Sequence, residues 1–406
     1  MSSRTILKDL WRAVSLRSTT GLLFWLALVA RIVHVALLKD GFYFSDFEAY
    51  ESAALALLSG AGFDLEYARP PLYPFFIAVV YAISGHHMLA LRLAQAILGA
   101  LCTVVIYKIA DQIFSRQAAL VAGLIAVFYP YYVFISGLLY PTLLTAFLLM
   151  CVIYAVVLAQ RQNPAPFYIA AGIFLSLAGL AVPASLAFTP FLILWLVFLS
   201  GTPLKKSIPY ALLITVVVLV SLAPWTIYCY QQYGKLVLID PRMEKHLPVV
   251  KSDAESPEYV EYGDGERITK IFKNPGPFLT NMSIEFLHFW SFVPDRVVTR
   301  QQTYREEVFK RDKRMVLDNP YTSPLMDWIS IMTYGPVFIL ALAGIFLCGS
   351  SWRMASLPLL LLLSQAFAYS FFFTQIRYRL PVEFCLMLFA GCGAVSLWSK
   401  LKKVAR

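Results

Sequence analysis

The chain has 406 residues, of which 59% are hydrophobic and only 14% charged. Its mean hydropathy is +0.67, and a soluble domain is about a quarter charged. This composition excludes a soluble globular protein and reads as an all-α polytopic membrane protein. A net charge of +10 would suggest nucleic acid in a soluble chain. Here the basic excess stands at the ends of apolar segments, as the positive-inside rule requires, so no nucleic-acid partner is expected.

From the N-terminus, Arg4, Lys8, Arg12 and Arg17 precede a long apolar run with no small-residue cleavage site after it. A retained first helix is expected, not a cleaved signal. Apolar segments lie near 20–38, 71–85, 88–110, 117–136, 138–160, 166–182, 184–200, 208–232, 327–348, 355–373 and 380–399. Most are long enough for the roughly 20 residues that span a bilayer. The segment 71–85 is the shortest, opening on Pro70-Pro71-Leu72-Tyr73-Pro74; either it dips in without crossing or another segment is miscounted.

Basic residues assign the sides. The N-terminus, Lys108 with Arg116, Arg161, Lys205-Lys206, Arg353 and the tail Lys400, Lys402, Lys403 and Arg406 all fall on the cytoplasmic side. Both ends inside require an even number of crossings, expected as ten within a range of 10–12. The chain divides into a transmembrane module over 1–232 with a first outer loop at 39–70, a small α-rich outer insert over 233–326, and final transmembrane helices over 327–406. Within the insert, 278–292 is aromatic with polar interruptions. It reads equally as a helix at the membrane interface or as the core of the insert.

The outer loop carries Phe44-Ser45-Asp46-Phe47-Glu48-Ala49-Tyr50 directly after the first span. Ser45 and Glu48 match a capping box, and Asp46 stands at the start of the helix it would open, where the macrodipole favours a negative charge. That placement serves helix initiation, and it also keeps a carboxylate ionised as a general base must be. Arg69, before Pro70-Pro71, has a guanidinium suited to clamping phosphate; snorkelling is the plainer use. Arg31 falls inside the first span, where a charge costs about 2.5 kcal/mol or more unless partnered. Arg92 near the start of its span raises a similar question, as do Arg377 and Arg379 in Gln375-Ile376-Arg377-Tyr378-Arg379-Leu380-Pro381. Arginines gathered toward the outer face suggest an anionic ligand there.

Other chemistries find little support. His34, His86, His87, His246 and His288 show no metal-ligand spacing, and there is no P-loop or GxGxxG. The six cysteines, Cys102, Cys151, Cys229, Cys348, Cys385 and Cys392, lie in or beside apolar segments and imply no disulfide framework.

In order along the chain stand Asp46 with Tyr50, Gly60 and Gly62, Arg69-Pro70-Pro71-Leu72-Tyr73-Pro74, Arg92 with Gln95, and Tyr129-Pro130. Ala223-Pro224-Trp225-Thr226, Asn274-Pro275, Phe289-Trp290 and Arg377-Tyr378-Arg379-Leu380-Pro381 follow. This ordered set resembles the polytopic glycosyltransferases of the C-type (GT-C) fold related to protein O-mannosyltransferases and the lipid A aminoarabinose transferase. The resemblance covers most of the chain. It implies a polyprenyl-phosphate-linked sugar donor, a glycan, lipid or protein acceptor, transfer with inversion, and a site on the outer face of a bacterial inner (plasma) membrane. Asp46 would be the general base with Glu48 beside it. Arg69, Arg92, Arg377 and Arg379 would offset the charge of the leaving phosphate, with Glu66, Tyr50, Tyr73 and Arg31 as accessory residues.

Three departures stand out. Relatives often place Glu before the basic-Pro motif, where this chain has Ala68, with Glu66 two residues earlier. Many carry an acid in the turn after Tyr-Pro, which here reads Gly137-Leu138-Leu139-Tyr140-Pro141-Thr142. The usual Arg-Asn after Pro-Trp is replaced by Tyr228-Cys229-Tyr230. These bear on a second catalytic acid and on the candidate cofactor, a divalent cation such as Mg or Mn. A transporter or lipid-carrier flippase and an inactive scaffold of the same fold are the competing readings. Trp290, Asp295, Tyr259 and Tyr262 are candidates for touching an acceptor.

Overall fold

The computed structural model describes residues 15–16, 18–38, 46–63, 69–162, 164–234, 275–293, 324–371 and 374–404. Among these, helices connected by short turns account for the architecture and no strand occurs. The order is α1 Thr19–Ala36, α2 Asp46–Leu58, α3 Leu72–Ser84, α4 Met88–Ile113, α5 Arg116–Phe128 and α6 Pro130–Ile135. Next come α7 Thr142–Ala159, α8 Pro164–Ala181, α9 Phe188–Leu194 inside the continuous stretch Pro183–Leu199, and α10 Leu204–Tyr233. The insert contributes α11 Pro275–His288. The chain ends with α12 Pro324–Leu347, α13 Trp352–Ser370, the single turn α14 Ile376–Arg379 and α15 Glu383–Val404.

Each apolar segment read from the sequence is helical, and seven helices among the described residues are long and apolar enough to cross a membrane. This is an all-α integral membrane protein. Local chemistry sets several boundaries. Ser18 and Ser115 cap α1 and α5, their hydroxyls accepting from Gly21 N–H at 3.0 Å and Ala118 N–H at 3.2 Å. The segment expected as one span at 117–136 is broken into α5 and α6 at Tyr129-Pro130. Proline has no N–H for the interior of a helix but fits its first turn.

Small residues draw the C-terminal helix into the centre. A Cβ on Gly393 would lie 2.1 Å from Leu340 O, and one on Gly344 would lie 1.9 Å from Phe389 O. These glycines let the backbones of α12 and α15 approach closely, as membrane helices do where lipid provides no hydrophobic drive.

The helix α3, the shortest of the apolar segments read from the sequence, packs against α2. Arg69, just before it, lies over the Tyr50 ring at 5.0 Å, and His86, just after it, is 3.0 Å from Glu51. Both ends of α3 therefore meet the first turns of α2. Its 13 residues extend about 20 Å at the helical rise, short of a hydrocarbon core of about 30 Å. It lies along α2.

Several polar contacts between helices lie at the two ends. At one, Arg161 donates to Gln112 O (2.6 Å), Gln160 to Tyr168 Oη (2.7 Å) and the Trp195 indole to Arg353 O (3.1 Å). At the other end stand α2, α3, the 136–141 turn and the 374–383 segment. Most of the insert 233–326 lies outside the described residues. The part that is described, α11, packs on α13 through its buried turn at Phe289 while Leu279 (53%) and Leu287 (68%) remain exposed. It thus has both a packed face and an open apolar one.

Candidate active site

The first turns of α2 are held from two sides. Phe47, fully buried, sets its ring edge-on to Tyr140 at 5.1 Å. The Tyr140 hydroxyl accepts from Arg377 Nη1 at 2.9 Å, and the Arg377 guanidinium lies 5.2 Å from the Tyr140 ring and 5.1 Å from that of Tyr378. On the other side Tyr50 meets Tyr73 edge-on at 5.2 Å, with Arg69 over the Tyr50 ring. Tyr73 donates to Gln95 Oε1 at 3.0 Å, and the Gln95 amide donates to Leu138 O at 2.8 Å and Ser136 O at 3.3 Å. Residues remote in sequence, 46–50, 69–73, 95, 136–140 and 377–378, thereby form one cluster.

Asp46 is the first residue of α2, where the sequence placed it. Its side chain, Ser45 and Glu66 lie outside what is described, as do Tyr259, Tyr262 and Asp295. Glu48 is half-buried on α2, two residues from Asp46. Two residues correspond to about 200° around a helix, so positions 46 and 48 do not share a face. Position 46 is instead one turn from Tyr50, the residue under Arg69.

The arginines separate into different roles. Arg69 and Arg377 are only half-buried, and each lies against tyrosines of the cluster. Arg379 is fully buried, with Nε 2.7 Å from Glu383 Oε1 and Nη1 donating to Phe289 O (2.9 Å) and Ser291 O (2.8 Å). Its guanidinium covers the Tyr334 ring at 3.8 Å. Arg379, a further candidate for the phosphate in the sequence, has a carboxylate and two carbonyls as partners of its Nε and Nη1. Arg92 is buried on α4 within electrostatic reach of His34 and Tyr81, beneath the cluster. Arg31 is also fully buried, donating to Ala27 O (2.9 Å) and Ala126 O (3.3 Å), and belongs to the bundle interior rather than to the cluster. Trp290 packs among Phe286, Phe289 and Phe338, an interior contact.

Sequence reasoning missed Glu51, which is buried and accepts from the Tyr81 hydroxyl at 2.7 Å, with His86 Nε2 at 3.0 Å. No local pattern links it to a histidine 35 positions away. It also missed Glu383, although Arg379 and Glu383 stand at the i,i+4 spacing of a helical ion pair. Among the described residues no group of three or more His, Cys, Asp or Glu side chains could hold a metal ion.

The fold is similar to the GT-C fold that the resemblance in sequence implied. Residues 68–228 match the model of the dolichyl-phosphate-mannose-protein mannosyltransferase family. No curated protein sequence matches. Among solved structures, ArnT from Cupriavidus metallidurans bound to undecaprenyl phosphate is similar over 95% of this chain and 62% of its own, at TM-score 0.60 and 16% identity. The Archaeoglobus fulgidus oligosaccharyltransferase in its apo form matches 96% of this chain and 51% of its own, at TM-score 0.61 and 12% identity. The same organism's AglB, in complex with an inhibitory peptide and a dolichol-phosphate, matches at TM-score 0.55 and 12% identity, covering 98% and 51%. The chain thus spans about half to three fifths of the length of these structures.

Proposed function

We propose that this protein is a membrane glycosyltransferase that moves a sugar from a polyprenyl-phosphate carrier to an acceptor hydroxyl at the outer face of the membrane. The observation that carries the reading is the position of the first turn of α2. It starts at Asp46 and is flanked by Arg69 through Tyr50 and by Arg377 through Tyr140 and Phe47. A base between two cations is what transfer from a lipid phosphate needs.

In the reaction, the Asp46 carboxylate takes the proton of the acceptor hydroxyl as that oxygen bonds to the anomeric carbon. The bond from that carbon to the phosphate oxygen breaks, and its electron pair leaves with the lipid phosphate. Arg69 and Arg377 offset the charge developing there, and attack opposite the leaving group inverts the configuration. The neighbours' bound lipids support a lipid-phosphate donor: one structure holds undecaprenyl phosphate and another a dolichol-phosphate.

Orientation follows from charge. Lys108, Arg116, Arg161, Lys205, Lys206 and Arg353 stand at the end of the bundle opposite α2, which favours that end as cytoplasmic. With α3 lying along α2, the remaining segments give ten crossings, the even number that this charge pattern requires. The transporter reading calls for charges along a path through the bundle. Arg31 is the charge deepest in the first span, and its Nη1 and Nη2 donate to backbone carbonyls.

The test is sugar transfer by purified protein from a panel of polyprenyl-phosphate sugars, read as acceptor-dependent release of polyprenyl phosphate. Asp46→Asn should lower the rate by about 10²–10⁴-fold while leaving the unfolding temperature unchanged. A mutant that transfers sugar like the wild type would remove Asp46 as the base.

A further inference from the structure

We infer that α11, the helix contributed by the long insert, positions Arg377, with Glu285 as the positioning residue; the inference rests on Arg377 acting on a lipid phosphate. The chain leaves α13 and re-enters the bundle through residues 374–379, a segment with one helical turn of its own. At its start the Thr374 N–H donates to Glu285 Oε2 at 2.7 Å, and the Thr374 hydroxyl donates to Glu285 O at 2.7 Å. At its end Arg379 Nη1 donates to Phe289 O and Ser291 O, just beyond α11. Between these anchors Tyr378 stacks on Tyr369 (4.7 Å, 6°), and Tyr369 stacks on Phe289 (6.4 Å, 22°).

The end of α11 therefore grips the segment at its start, its middle and its end. Arg377 lies between those grips and reaches to Tyr140 on the cluster side. Thr374 is 5% exposed, so its N–H has little access to water and depends on the Glu285 carboxylate for a strong acceptor. Glu285 itself is mostly buried, with a side chain 16% exposed. Removing that carboxylate would free the start of the segment and let Arg377 move relative to α2. A guanidinium must be held in place for its hydrogen bonds to phosphate to form without an ordering penalty. A segment of the insert thus governs a residue of the site without touching the ligand.

The experiment uses full-length protein in nanodiscs, with undecaprenyl phosphate as the probe and hydrogen exchange of the 374–379 amides as a second readout. Glu285→Ala should weaken binding about tenfold, the loss of one charge-assisted hydrogen bond, and should speed exchange at 374–379. Glu285→Gln, whose amide oxygen still accepts from Thr374 N–H, should bind within about twofold of the wild type. In an Arg377→Gln background, Glu285→Ala should cause no further loss, because both changes remove the same placed charge. If Glu285→Ala fails to fold, Thr374→Val removes the hydroxyl donor alone and should still speed exchange and weaken binding.

Unchanged binding and exchange in Glu285→Ala would overturn the inference and leave the proposed function standing. An equal loss with and without Arg377 would also overturn it, since α11 would then act elsewhere. A wild type that binds no undecaprenyl phosphate would defeat the functional reading, and exchange in Glu285→Ala alone would then judge the latch.

Discussion

Two buried arginines occupy regions of opposite construction. Around Arg31, α1 meets α4 and α5 in an interior of small and apolar residues, where the guanidinium donates to two backbone carbonyls. Around Arg379, α14 and α15 meet α11 and α12, and the guanidinium has a carboxylate, two carbonyls and an aromatic face. Both residues are fully buried, yet the first charge is fitted into a helix seam and the second is the centre of a joint. Burial of a cation is thus no indicator of its function. Its partners decide whether it closes a gap between helices or fastens a connection between them.

The largest effect expected from this difference is at Glu383. Glu383→Leu would strand Arg379 without its carboxylate and should lower stability by about 3–5 kcal/mol, read as a drop in the detergent-solubilised unfolding temperature. A smaller loss there than at Arg31 would break the comparison.

Gly99 sharpens the other side. A Cβ at that position would lie 2.5 Å from Arg31 Nε and 2.9 Å from its Cδ. Overpacking of this kind costs about 1–3 kcal/mol, so Gly99→Ala should be destabilising in the same assay. Combined with Arg31→Met, the penalty should shrink, because a flexible thioether can yield where the tethered guanidinium cannot. The smallest effect is that of Arg31→Met alone. Replacing a buried charge by an apolar group of similar volume is often near neutral, and a change within about 1 kcal/mol is expected. A loss as large as that of Glu383→Leu would mean that Arg31 has a role the two carbonyl contacts do not convey.

Much of the molecule was legible in the chain because a bilayer imposes simple rules. Each apolar run became a helix, and the acidic stretch beyond the first span is helical from Asp46 onward among the described residues. Tyr129-Pro130 was read as a motif, but its effect, a break between α5 and α6, follows from proline's missing N–H. The arginines were not separable by pattern. Arg377 and Arg379 are two residues apart on one turn, and i,i+2 positions face apart, so one reaches Tyr140 while the other enters the α11 joint. The i,i+4 pair of Arg379 with Glu383 was the available signal. Glu51 with His86, and Glu285 with Thr374, had none, since their partners are 35 and 89 positions away.

The sequence by itself determined the class, the helices and the sidedness of charge, because hydrocarbon forces every backbone polar group into local hydrogen bonds and excludes unpaired charge. Those constraints act within about 20 residues and can be read locally. Only the tertiary structure decided that α3 lies along α2, and that Arg379 belongs to a joint while Arg377 belongs to the cluster. These outcomes depend on which distant side chains meet, and helix packing, unlike helix formation, leaves no period in the sequence.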